Sequence, residues 1–123
     1  NNKNPPRIII GSEFENPTVL NRNDASGERG IWAQNDIYSY WKVNFKKGTY
    51  DFKFKFKDSI TSKGTLFTEI NNRVYSKKTE KVVYSTLEMN DISIENSEVD
   101  LISFLKLNNK KIFPFWIEIY KKN

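Results

Sequence analysis

Tyr50-Asp51-Phe52-Lys53-Phe54-Lys55-Phe56-Lys57 alternates aromatic and charged side chains without a break. Successive side chains of a strand point to opposite faces, so this run predicts a strand with an aromatic face on a core and a charged face in water. The preceding segment alternates too, with Ile37, Ser39, Trp41, Val43 and Phe45 in one phase and Asp36, Tyr38, Tyr40, Lys42 and Asn44 in the other. Lys46-Lys47-Gly48 between them has the length and the glycine of a hairpin turn, so the two strands are expected to pair antiparallel.

Working outward, Thr65–Ile70 and Arg73–Tyr75 flank Asn71-Asn72, residues that tolerate a positive φ and suit a two-residue hairpin loop. Further β-rich runs cover Lys81–Met89, Val99–Leu105 and Ile112–Tyr120, with Asn108-Asn109 between the last two; Asn90-Asp91 and Glu95–Glu98 read as connecting loops. Pro114 has no N–H to give a ladder, which places the final strand at a sheet edge or at a bulge. Polar breaks about every ten residues, with no sustained helical spacing, predict an all-β antiparallel sandwich of jelly-roll type. Asn1–Pro6 reads as a linker from a preceding domain, and residues 7–123 as one domain.

The chain has 123 residues, a net charge of +5, and neither cysteine nor histidine. One core of this size needs no staple. The missing residue types remove the usual neutral-pH general base, the thiolate nucleophile and the commonest transition-metal ligands, which argues against an enzyme. The basic residues are scattered lysines and pairs such as Lys46-Lys47, Lys77-Lys78 and Lys110-Lys111, not the concentrated block that nucleic-acid binding favours. No apolar run is long enough to span a bilayer as a helix, so no membrane partner is expected. Glu13 and Glu15 alternate and could lend oxygens to a structural calcium, but two ligands are too few to define a site; no cofactor is expected.

Between Ser12 and Asn35 the alternation lapses into a long polar segment, and loops of this length are commonly functional. It holds two of the four arginines, Arg22 and Arg29, with Asn21, Asn23, Asp24, Trp32 and Gln34, and runs into Tyr38 and Tyr40. The mixture suits a saccharide. A pyranose stacks its apolar face on Trp32 or Tyr40, amides and carboxylates meet its hydroxyls, and a guanidinium fork captures a sulfate or carboxylate substituent. Trp41 shares the phase of Val43 and Phe45 and is expected in the core, while Trp116 can serve as core filler or as sugar platform.

Glu15-Asn16-Pro17, Leu20–Ala25, Gly30–Gln34 and Ile37–Val43, with Gly48–Asp51, Leu87–Met89, Asp100-Leu101 and Pro114–Glu118, resemble the C-terminal region of bacterial arylsulfatase-type, formylglycine-dependent sulfatases. The strand, Gly-Thr-Tyr turn and strand of Asp36–Lys57 is more loosely similar to jelly-roll carbohydrate-binding modules. The sulfatase signature, Cys or Ser followed by x-Pro-x-Arg, is absent from these residues. The resemblance therefore implies a non-catalytic accessory domain of an exported, extracellular or periplasmic enzyme, joined to an N-terminal sulfatase domain. Its expected partner is carbohydrate, a sulfated polysaccharide being one candidate; the alternative is a structural module that braces the catalytic domain.

Overall fold

A computed structural model of the chain describes residues 7–27, 39–80 and 86–123. They form eleven strands: β1 (Ile8–Ile10), β2 (Thr18–Asn21), β3 (Ser26–Gly27), β4 (Ser39–Phe45), β5 (Gly48–Lys55), β6 (Gly64–Ile70), β7 (Arg73–Thr79), β8 (Thr86–Ile94), β9 (Ser97–Leu107), β10 (Lys110–Ile112) and β11 (Trp116–Lys121). A larger sheet runs β1-β4-β9-β6-β7, with β3 and β10 added beside β4 and β9, and a smaller one runs β2-β11-β5-β8. The molecule is a β-sandwich, as expected. Pairing is antiparallel except that β1 lies parallel to β4, Ile8 opposite Val43 and Ile10 opposite Phe45.

The decisive stretch is a strand with the predicted faces. Tyr50, Phe52 and Phe54 are fully buried, while Asp51, Lys53 and Lys55 stand on the outer side. The hairpin expected before it does not form. β4 belongs to the larger sheet and β5 to the smaller, so Lys46 and Lys47 lead from one layer to the other. Phe45 instead meets β5 across the core, its ring 5.4 Å from Tyr50 and 6.3 Å from Phe52. Alternation fixes which side of each strand is apolar, and both arrangements bury that side equally well.

Three further expectations change. Asn90-Asp91 is not a loop but a bulge inside β8: Tyr50 faces Ile92 while Phe52 faces Met89, and Asp91 takes a φ of 61°. Ile112–Tyr120 is not one strand. Pro114 falls between β10 in one sheet and β11 in the other, and β11 lies inside its sheet between β2 and β5, not at an edge. The missing N–H thus marks a crossover, where no ladder needs it. The long polar segment contains β2, β3 and a 3-10 turn at Arg22–Asp24, and Leu20 is fully buried. Glu95 and Asn96 do connect β8 to β9 between the sheets, but Ser97 and Glu98 already belong to β9.

The two-residue hairpin at Asn71-Asn72 forms as read, with Ile70 opposite Arg73 and Asn71 at φ 59°. Asn108-Asn109 does the same for β9 and β10, setting Leu107 opposite Lys110, with Asn108 at φ 54°.

Candidate binding face of the larger sheet

Of the residues expected to bind a saccharide, Arg29, Trp32, Gln34 and Tyr38 lie outside the described residues. Of the other five, Asn21 to Asp24 lie together at the end of β2 and on the 3-10 turn, and Tyr40 lies on β4. Asn21 ends β2: its carbonyl accepts a hydrogen bond from Trp41 Nε1 (2.8 Å), and its side-chain oxygen accepts one from the Asp24 backbone N–H (3.2 Å), capping the 3-10 turn. Arg22 is half-buried. Its Nη2 donates to the Phe113 carbonyl at 2.9 Å and its Nε to the Pro114 carbonyl at 3.3 Å, with the guanidinium carbon 5.5 Å from the centre of the Phe115 ring. Those carbonyls belong to the crossover between β10 and β11, outside both sheets' ladders, so the fork occupies itself with backbone that strand neighbours cannot reach. Burial lowers the guanidinium's pKa from its usual value. Asn23 and Asp24 are exposed, and Tyr40 is half-buried on β4. Trp41 is wholly buried, as expected, and Trp116 is half-exposed on the outer side of β11.

Tyr40 leads to a different surface. It follows the outward phase of β4, opposite in phase to Trp41 and Val43, and so shares the outer face of the larger sheet. Cross-strand register lays that face out in rows. One row joins Ile102 of β9, Glu69 of β6 and Val74 of β7, with Tyr40 at the β4 side. The next sets Phe104 opposite Phe67, and Phe67 opposite Ser76. Phe113 completes it at the β10 side, its ring centre 5.8 Å from that of Phe104, which lies 5.3 Å from Phe67. Phe104 and Phe113 are buried, only 7% and 4% exposed, and support a half-exposed Phe67. A third row reads Lys111, Lys106, Thr65 and Lys78 across β10, β9, β6 and β7.

All three lysines of that row are exposed, and none joins a salt bridge among the described residues. Lys111 Nζ sits 4.6 Å from the centre of the Phe104 ring, a cation–π contact that fixes the ammonium over the aromatic row. A shallow, open depression of about 600 Å³ lies beside the row, lined by Lys63, Thr65, Phe67, Lys78, Lys106 and Asn108 among others. Thr79 lines it as well; its buried Oγ1 has no hydrogen-bond partner. Gly64, also in the lining, packs closely on β9: a Cβ there would come within 2.5 Å of Leu107 Cδ2.

The outer face of the smaller sheet is charged differently. Lys53 lies between Glu118 on one neighbouring strand and Glu88 on the other, and Lys122 pairs with both Asp51 and Asp91. Charges there alternate in sign across neighbouring strands. The predicted solvated lysine face of β5 is of this kind.

The lysine row went unread in the sequence because its members are scattered, Lys78 and Lys111 in separate pairs and Lys106 alone. Its signal was nonetheless present: a two-residue loop at Asn108-Asn109 sets Lys106 opposite Lys111 as soon as it is accepted as a hairpin. Among the described residues no group of three or more acidic side chains gathers as a metal site. Glu13 and Glu15 are exposed.

The fold and this face define a β-sandwich with one sheet surface carrying half-exposed rings beside unneutralised cations. No family model matches the chain, and no curated protein matches it. Among solved structures it is similar to a calcium-binding mutant of Bacteroides uniformis β-glucuronidase 2, with 18% identity and a TM-score of 0.45 over 73% of this chain. The chain spans about a tenth of that protein, 11% of its length. A likeness so slight carries neither fold nor function.

Proposed function

We propose that this domain is a non-catalytic module that binds carbohydrate on the outer face of its larger sheet. The observation that carries the reading is Phe67, half-exposed on a support of buried Phe104 and Phe113, with Tyr40 in the adjoining row. A ring held in place by its neighbour along the row offers a flat apolar surface to a pyranose at little entropic cost, and Glu69, Thr65 and Asn108 around it can meet its hydroxyls. The residue clusters shared with sulfatase C-terminal regions support a place as an accessory domain of an exported sulfatase.

The test is electrophoresis of the 123-residue chain through gels containing sulfated or unsulfated polysaccharides. Retardation by at least one glycan is expected, weakened in Phe67→Ala and Tyr40→Ala variants that keep the native circular dichroism. No retardation by any glycan, or retardation unchanged in both variants, overturns the reading.

A bracing role is the second reading, favoured by the half-exposed Trp116 with Tyr120 and Val19, 46% and 47% exposed, on the outer face of the smaller sheet. An adjoining catalytic domain packed there would hide them. In that case Trp116→Ser in the parent enzyme lowers its unfolding temperature and leaves retention on polysaccharide unchanged.

A further inference from the structure

We infer that Lys111, Lys106 and Lys78 form a binding row for an anionic polysaccharide, whose sulfate or carboxylate groups they grip while its sugar rings rest on the Phe67 side. The inference rests on the carbohydrate reading and names the class of glycan. Register is its first support, since residues far apart in sequence stand side by side on neighbouring strands. Energetics is the second. Lys106 directly opposite Lys111 is a like-charge cross-strand pair, which destabilises a sheet, and the row itself contains no acid to offset it. On the smaller sheet the same fold interleaves its lysines with acids. On the larger sheet these three lysines have no acid among their register partners, and Glu80, which lines the adjoining depression, pairs with Lys63; a bound anion supplies what the row lacks.

The setting narrows the class of anion. Lysines present point charges to separate groups, unlike the bidentate fork of arginine, so a polymer with anions at intervals fits better than one compact phosphate. Single-stranded nucleic acid calls for successive exposed rings to stack its bases. The described part of the aromatic row exposes one ring, Phe67, beside two that are buried, with Tyr40 a row away and not in succession with it. Duplex DNA needs an element that enters a groove, and this is an open sheet face. Saccharide hydroxyls beside the anionic groups also have partners at hand: Thr65 and Asn108 line the adjoining depression.

The experiment compares dextran sulfate, polygalacturonate, unmodified dextran and single-stranded DNA as ligands of the 123-residue chain, titrated at several salt concentrations. Dextran sulfate or polygalacturonate is expected to bind, with affinity falling as salt rises, and dextran to bind more weakly. The triple variant Lys78→Gln, Lys106→Gln, Lys111→Gln should lose about tenfold or more in affinity for the polyanion. A control triple, Lys53→Gln, Lys55→Gln, Lys57→Gln, removes the same net charge from the smaller-sheet side and should lose less than about twofold. Equal losses in the two triples overturn the inference, because net charge alone then explains binding. Dextran binding as tight as dextran sulfate overturns it while leaving the carbohydrate reading intact, and binding to no glycan sinks both. Tighter binding of single-stranded DNA through the same lysines also overturns it.

Discussion

Tyr50 and Arg22 both donate to backbone carbonyls at or beside the connections between the two sheets. The Tyr50 hydroxyl, on a ring at the centre of the core, lies against the carbonyls of Lys46 and Ile10, the latter at 3.2 Å, and so ties the connection between the sheets to β1. Burial pushes its pKa up to about 12 from the usual 10.0, against the opposing effect of the bond to Lys46. The unfolded chain therefore gives up this proton at a lower pH than the folded one. The contribution is complete below pH 10 and is lost as pH rises toward 12. Tyr50→Phe should cost about 0.5–1.5 kcal/mol at neutral pH, and urea unfolding across pH 8–12 should show the gap to the parent chain narrowing above pH 10. For Arg22→Ala, removing a charged donor from two crossover carbonyls should cost about 1–3 kcal/mol in the same assay, with Asn23→Ala, at an exposed position, as the silent control. Sequence reading could not give Arg22 these acceptors, which lie 91 and 92 residues away, beyond any local pattern.

Among the elements, burial was easier to read than adjacency. The alternations of β4 and β5 and the hairpins at Asn71-Asn72 and Asn108-Asn109 were legible, since a period of two and a residue tolerant of positive φ leave direct marks. The sheet to which each strand belongs was not, because a strand beside its sequence neighbour and one facing it across a core show the same pattern. The bulge at Asp91 looked like a loop for a related reason: its polar pair breaks the alternation just as a turn does. Register also makes one substitution informative. Lys106→Glu turns a like-charge pair with Lys111 into an opposite one and should stabilise the free domain by roughly 0.2–1 kcal/mol at low salt. The gain should shrink as salt is added, and the same variant should bind dextran sulfate more weakly. A loss of stability at low salt would mean that Lys106 is held by something other than an unfavourable neighbour.

At the scale of the molecule, the two outer faces divide the charge unequally. The smaller sheet sets acids on both sides of Lys53, while the larger one carries a row of three lysines with no acid among their register partners, beside its aromatic row. Composition alone showed only a modest excess of +5, spread thinly along the chain. The asymmetry arises when folding lines up lysines from β10, β9 and β7, so no window of sequence contains it. The candidate site was legible in part: Tyr40 was named from its outward phase, whereas Phe67, Phe104 and the lysines depend on pairings between distant segments. Strands in a sheet lie about 4.8 Å apart, so the row spans three such intervals, roughly 14 Å, with its one uncharged position at Thr65. The sheet thereby becomes a ruler: a chain lying along it is graded by how its own spacing of negative groups falls into step with a fixed pitch. Two glycans of equal charge density but different repeat would then be told apart without any contact specific to either sugar.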